Sequence, residues 1–244
     1  MRGSLRLCSI FGISIKVHIT FIALLVLALS WGMKSLFIIT SVFVFVTLHE
    51  LSHSLVARRF GVGVREITLY PIGGVASMTS MPKKPMHEFL ISLAGPLFNV
   101  AVIVVFYVPL VYLLGEETLL RYPSSTYTWP GAIAYIYWLN LMLAAFNLIP
   151  AFPMDGGRIL RALLAKKIGY IRATKIAANL GHLFALIFLY FGIVRMHFML
   201  IAIAVFIYTA ASNEEMIAEY MQSLKNMHDR DMLSRDFFDR HESA

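Results

Sequence analysis

Two imidazoles and a carboxylate, His49, Glu50 and His53, stand inside a run that is otherwise apolar, from Phe43 through Leu51 to Ser54. His49 and His53 are four residues apart, so on a helix both project from one face. That spacing suits two ligands of one metal ion, with Glu50 beside it as a proton carrier. Hydrocarbon makes such groups expensive, so an ionisable cluster there marks function before packing. The competing reading, two buried histidines bonding neighbouring helices, explains either histidine alone better than it explains the pair.

Two histidines leave a tetrahedral zinc short of ligands. A catalytic site needs a third protein ligand and an open position for water. The candidates are His87 and Glu88 at the mouth of one apolar run, His182 early in another, and Asp155 just after a third. Asp155 comes to a depth similar to that of the histidines and is taken as the third ligand. Its simpler role would be the N-cap of the helix that follows. A zinc ion so held lowers the pKa of its water toward about 7, and Glu50 accepts that proton and returns it to the leaving amine. The oxyanion needs a donor. Asn140 and Asn147 are seven apart, hence nearly on one face. Asn147 lies nearer Asp155 and is the candidate, with interhelical hydrogen bonding as the alternative for both.

The elements that must position these groups are membrane spans. Of 244 residues, 59% are hydrophobic and 14% charged, a balance that several spanning helices require and a soluble domain does not. The formal net charge of +7 is scattered among the apolar runs and forms no dense stripe, which excludes nucleic acid as a partner. Cys8 is the only cysteine, so neither an internal disulfide nor a cysteine zinc site is available.

Polar and apolar residues alternate across Ile13, Ile15 and Val17, which predicts one or two short strands at the membrane surface. Apolar runs at 18–33 and 35–57 read as spans one and two. Residues 60–86 hold Gly61, Gly63, Gly73, Gly74, Pro71, Pro82 and Pro85 between β-formers and read as a hairpin or small sheet. Span three covers 89–114, with Gly95-Pro96 as a packing kink, and a loop covers 115–128. Span four covers 130–149 and ends at Pro150-Ala151-Phe152-Pro153, which forbids a regular helix. A short basic amphipathic helix follows over 158–167, then spans five at 176–194 and six at 197–211. The fold class is a membrane all-α protein: six transmembrane helices, with short strands and a hairpin at the cytoplasmic membrane surface. Residues 1–212 form the membrane domain and 213–244 a charged cytoplasmic tail, helical by its spacing of Ile217, Met221, Leu224 and Met227. That tail either extends span six or leads as a solvated helix toward a further domain.

With these spans, Lys34, Arg121 and Arg195 lie on one side and the other eighteen of the 21 Lys and Arg residues on the other. The positive-inside rule then makes a multi-pass cell-membrane protein with both termini cytoplasmic. His49 lies nine residues before Arg58, so the metal would sit roughly 13 Å below the cytoplasmic boundary.

At these residues the chain resembles the site-2 proteases, intramembrane zinc metalloproteases. The likeness runs through Phe11-Gly12-Ile13, Val17-His18, His49-Glu50-Leu51-Ser52-His53, Pro71-Ile72-Gly73-Gly74 and Ala94-Gly95-Pro96-Leu97-Phe98-Asn99. It is clearest over Asn147-Leu148-Ile149-Pro150-Ala151-Phe152-Pro153-Met154-Asp155-Gly156-Gly157. The resemblance implies one Zn2+ held by His49, His53 and Asp155, Glu50 as general base, and a role for Asn147. It implies membrane-anchored protein substrates, cut within the lipid bilayer. The chain is similar to compact archaeal and bacterial members, since it shows neither a PDZ-like insertion nor a cystathionine-β-synthase-type pair. Oligomeric state is not readable. A helical substrate hides its peptide bonds, so a strand edge near Gly73-Gly74 is expected to pair with an unwound segment. A metal transporter using the same side chains is the competing class, but it would want polar residues along a full transmembrane route. A proteolytically inactive binding protein is the other, and intact Glu50 argues against it.

Overall fold

The structure is a computed structural model that describes residues 3–80, 82, 84–120 and 128–242, with side chains described as far as Leu224 and at Met227. The expectations placed on 121–127, Arg121 and Pro123 among them, lie outside the described residues. The chain forms two compact units, Met1–Ile149 and Pro150–Ala244.

The first unit opens with a hairpin of β1 (Ser4–Ile10) and β2 (Ile13–His18). Its two turn residues, Phe11 and Gly12, both have positive φ, 49° and 77°. A two-residue turn of the primed type needs that geometry to match the strand twist. The chain then climbs through α1 (Ile19–Ser30), returns through α2 (Met33–Arg59) and re-enters the sheet as β3 (Val64–Tyr70) and β4 (Gly73–Met78). The sheet order is β1-β2-β3-β4, with β2 and β3 parallel and the outer pairs antiparallel. Ile13, Ile15 and Val17 alternate inward from β2 and are buried, as the period of two requires. Ile13 and Val17, with Ile67 and Leu69 of β3, pack on Leu51 and Ala57 of α2. Lys16 and Glu66 pair on the sheet.

The unit continues with α3 (Pro85–Leu114), α4 (Glu116–Leu120) and α5 (Trp129–Asn147). Helix α3 holds Pro96 and Pro109 without ending. The expected loop after it contains a helical turn, α4. Two acids open α4, Leu119 is fully buried, and Trp138 Nε1 donates to the Leu119 carbonyl at 2.8 Å.

The second unit consists of α6 (Asp155–Ile168), α7 (Tyr170–Val194) and α8 (Phe198–Glu242). The basic helix expected over 158–167 thus begins at Asp155 itself. Helix α8 passes through residue 212 without a break, so the helical spacing at 217–227 continues the sixth apolar run.

Five helices are long and apolar enough to cross a membrane: α2, α3, α5, α7 and the Phe198–Leu224 part of α8. Helix α1, expected as span one, has 12 residues. At ~1.5 Å per residue it reaches about 18 Å, short of a hydrocarbon core of about 30 Å. Strand β2 takes His18, whose ring caps the helix at Thr20 N, and Gly32 turns the chain at φ 104°.

The loop before α6 is wedged by backbone contact. Phe152 is fully buried, and its N–H donates to the Ala177 carbonyl at 3.1 Å. A Cβ on Gly181 would overlap the Phe152 carbonyl oxygen, and one on Gly157 would lie 2.5 Å from the Ala151 carbonyl carbon. Gly181→Ala should therefore lower the thermal midpoint in detergent by roughly 3–10 °C, the effect of about 1–3 kcal/mol of overpacking. An unchanged midpoint would show that the loop does not rest on α7 at this point.

Candidate metal centre

Helix α2 delivers His49 and His53 to a dry face against α3. They are 3% and 5% exposed, a depth at which every ring nitrogen needs a partner. His53 Nδ1 lies 2.6 Å from the Ile91 carbonyl oxygen of α3. A carbonyl only accepts, so this Nδ1 carries the proton. His49 Nδ1 lies 2.5 Å from Asn99 Oδ1, also on α3. Asn99 is fully buried and bonded to Asn140 of α5, with Nδ2 donating to Asn140 Oδ1 at 2.7 Å. Asn140 Nδ2 donates back to the Asn99 carbonyl at 3.1 Å.

With both Nδ1 atoms occupied as donors, both Nε2 atoms present lone pairs. They face one another 3.1 Å apart, in rings inclined at 81°. Two neutral imidazoles cannot bond to each other in that arrangement. A tetrahedral zinc about 2.0–2.1 Å from each nitrogen would hold them about 3.3–3.4 Å apart. The donor set and its spacing therefore fit a small divalent cation. Gly95 of α3 keeps the space open: a Cβ there would lie 2.6 Å from His49 Nε2 and closer still to His53 Nε2.

Glu50 faces another way, as its position one residue on from His49 requires. It is half-buried, and its stem runs under β4: a Cβ on Gly74 would come within 2.9 Å of Glu50 Cγ. The glycine at 74 gives the carboxylate its room.

In the second unit, Asp155 is the first residue of α6. Met154 occupies the N-cap position, so Asp155 sits in the first turn and not at the cap. An acid there is favoured by the helix dipole. Its helix is braced from behind. The buried guanidinium of Arg161 lies 4.7 Å from the Phe152 ring centre and 4.8 Å from that of Tyr170, and donates to Glu214 Oε2 at 3.1 Å. Arg158 donates to Glu214 Oε1 at 2.9 Å. A cation packed between two rings and paired to a carboxylate on α8 holds α6 in a single rotation.

The structure brings the two histidines together and seats Asn140 behind one of them. Asn147 ends α5, half-buried, with Nδ2 donating to the Leu143 carbonyl at 3.0 Å. Of the other candidate ligands, His87 stacks on Phe60 at 4.3 Å, and His182 contacts Ser212 Oγ at 3.0 Å and the Tyr208 ring at 4.6 Å. Both are packing histidines. Sequence reasoning gave no role to Asn99, to the bracing of Arg161, or to Gly95 beyond a kink. Gly95 and Asn99 share the four-residue spacing of the histidines they face.

Residues 37–135 and 118–188 match the peptidase family M50. A zinc metalloprotease of Methanocaldococcus jannaschii is 44% identical over 239 residues, which make up 96% of this chain and 67% of that protein. The protein Rip3 of Mycobacterium tuberculosis is 36% identical over 150 residues, 59% of this chain and 35% of Rip3. The chain thus spans about two thirds of the first relative's length and about a third of the second's. A solved structure of the site-2 protease from Methanocaldococcus jannaschii superposes with a TM-score of 0.63 at 43% identity, covering 87% of this chain and 95% of that one. The chain belongs to peptidase family M50.

Proposed function

We propose that this protein is an intramembrane zinc metalloprotease that hydrolyses peptide bonds in the membrane-spanning segments of membrane-anchored proteins. One observation carries the reading: two buried imidazoles with both Nδ1 atoms committed and both Nε2 lone pairs converging at 3.1 Å. Membership of the M50 peptidases and the five helices of spanning length support it.

In this reading one zinc ion is held by His49, His53 and Asp155. When bound, zinc supplies an acidified water and a Lewis acid for the scissile carbonyl. Glu50 accepts the proton released as water attacks and hands it to the leaving amine. Asn147 donates to the developing oxyanion. One of its Nδ2 hydrogens goes to Leu143, and the amide has a second to offer.

Strand β4 receives the substrate. It is the last strand of the sheet, and Gly74 brings it against Glu50. A substrate helix must unwind to expose a peptide bond, and an unpaired strand edge replaces its lost hydrogen bonds. The lipid bilayer surrounds the helices and thins around α1, which makes a short sixth crossing, with both termini cytoplasmic and the cell membrane as the location.

Glu50→Gln should reduce cleavage of a membrane-embedded substrate at least ~10²-fold while the purified protein keeps its zinc. Cleavage at the wild-type rate would remove Glu50 from the chemistry. His49→Ala, His53→Ala and Asp155→Ala should each lose zinc to a chelator at a concentration where the wild type retains it. Retention by Asp155→Ala would show that another residue completes the site. Asn147→Ala should lower kcat roughly 10²–10³-fold at unchanged zinc content, and an unchanged kcat would assign the oxyanion to a different donor. Single prolines along β4 should slow cleavage without releasing zinc. If none does, the substrate is not held as an added strand.

A further inference from the structure

The geometry points to Asn140 as a positioning residue for the metal centre, acting through Asn99 to set which nitrogen of His49 is free to bind. Asn140 bonds to Asn99, and Asn99 to His49. It belongs to α5, Asn99 to α3 and His49 to α2, so the relay crosses three helices. The inference rests on the reading of His49 as a zinc ligand.

The polarity of the relay follows from one group that cannot be reversed. The main-chain carbonyl of Asn99 is an acceptor only. The side-chain atom of Asn140 that lies 3.1 Å from it must therefore be Nδ2. Oδ1 of Asn140 then faces the Asn99 side chain, which must answer with its own Nδ2, at 2.7 Å. That leaves Asn99 Oδ1 toward His49, at 2.5 Å, and an oxygen there requires a proton on His49 Nδ1. The proton on Nδ1 puts the lone pair on Nε2, the atom that meets His53 Nε2. Each assignment comes from the one before it, so amide orientation is not a free choice at either asparagine.

Asn99 alone could not do this. A carboxamide offers oxygen at one end and nitrogen at the other, and an unrestrained Asn99 could turn its NH₂ to His49. Nδ1 would then become the acceptor and Nε2 would carry the proton, closing the ligand position. Asn140 removes that option. The histidine at the other ligand position needs no such device, because Ile91 presents a main-chain carbonyl directly. Outer partners of this kind commonly change metal affinity by about 10–100-fold.

The test is zinc affinity, measured by competition with a chromophoric chelator on full-length protein in detergent micelles. Thermal midpoints are recorded alongside, together with the nitrogen chemical shifts of His49. Asn140→Leu should weaken zinc binding about 10–100-fold and shift His49 toward the Nε2-protonated tautomer. Asn99→Asp combined with Asn140→Leu should restore both. A carboxylate accepts from His49 Nδ1 with either oxygen and needs no orienting partner. A purely structural role for Asn140 would not be rescued by a change at Asn99. Wild-type affinity in folded Asn140→Leu overturns the relay, as does a double variant no better than the single one. If Asn140→Leu is not recovered folded, Asn140→Ala removes the same two bonds with less bulk and carries the same comparison. A wild-type protein with no tight zinc overturns the ligand reading itself and the relay with it, which separates that failure from the others.

Discussion

Two lone pairs held face to face in a water-poor place are the constraint on which the site depends. Neutral imidazoles whose Nε2 atoms meet at 3.1 Å repel unless something positive stands by them. Each ring is prevented from turning away by a hydrogen bond on its far side, one to a backbone carbonyl and one to a carboxamide. The protein holds an unfavourable arrangement in readiness, and a cation relieves it. Helix α2 alone could not maintain this, because a histidine on an isolated helix rotates freely. The restraint comes from α3, which supplies both acceptors, and from the glycine at 95, which lets α3 approach so closely.

The same problem is met in the second unit by different means. Asp155 in the first turn of α6 keeps its place only if that helix has one position. The turn before it contains two prolines and lacks regular backbone bonding, so its anchorage has to come from elsewhere. Phe152 supplies part of it, with its ring in a cluster of Ala177, Ala178 and Ala211 and its N–H on Ala177. Arg161 supplies the rest. A buried guanidinium is costly unless its charge is answered, and here Glu214 and two aromatic faces answer it. Removing Glu214 would take a carboxylate away from that buried charge, so the pair resists small rotations of α6 more than apolar packing would. Small residues make the arrangement possible, since Gly157 and Gly181 admit main chain where a Cβ would collide with it.

Much of this was legible in the residues and some was not, for identifiable reasons. The hairpin was readable because Ile13, Ile15 and Val17 alternate and one face is buried, so period two survives in the sequence. The helix bearing the histidines was readable because apolar length is a coarse property. Span one was overestimated by the same property. Hydropathy counts His18 and the residues after Ser30 as part of one run, whereas β2 and the turn at Gly32 claim the ends. Composition changes at residue 212 and backbone conformation does not, so the residues allowed either an extended sixth run or a separate solvated helix there. The meeting of His49 and His53 was readable because four residues is both a ligand spacing and a helical repeat. Asn99 was not, because a lone asparagine in an apolar helix has the same signature whether it pairs with a neighbouring helix or orients a ligand. Only the three-dimensional partner of its Oδ1 separates the two.

That difference bears on why polar residues persist at this depth. An asparagine in a membrane helix is costly in proportion to its unsatisfied hydrogen bonds, so a solitary one is a liability and a reciprocal pair is nearly neutral. Asn99 and Asn140 exchange two bonds, which between them use one amide donor of each side chain, the oxygen of Asn140 and the carbonyl of Asn99. Of the two side-chain acceptors, the one that remains is the oxygen of Asn99, and it is directed at His49. A pair that served only to join α3 to α5 would have no reason to leave an oxygen facing a third helix. A lone asparagine at 99 could face His49 with either end of its amide, so the acceptor needs Asn140 to fix it. The arrangement satisfies both demands at once: it locks three helices together without introducing charge, and it delivers one acceptor, of one polarity, to the ring that needs it. An ionised aspartate at 99 would make a stronger acceptor, but it would carry a full charge into the apolar interior. The carboxamide gains its polarity from its neighbour instead.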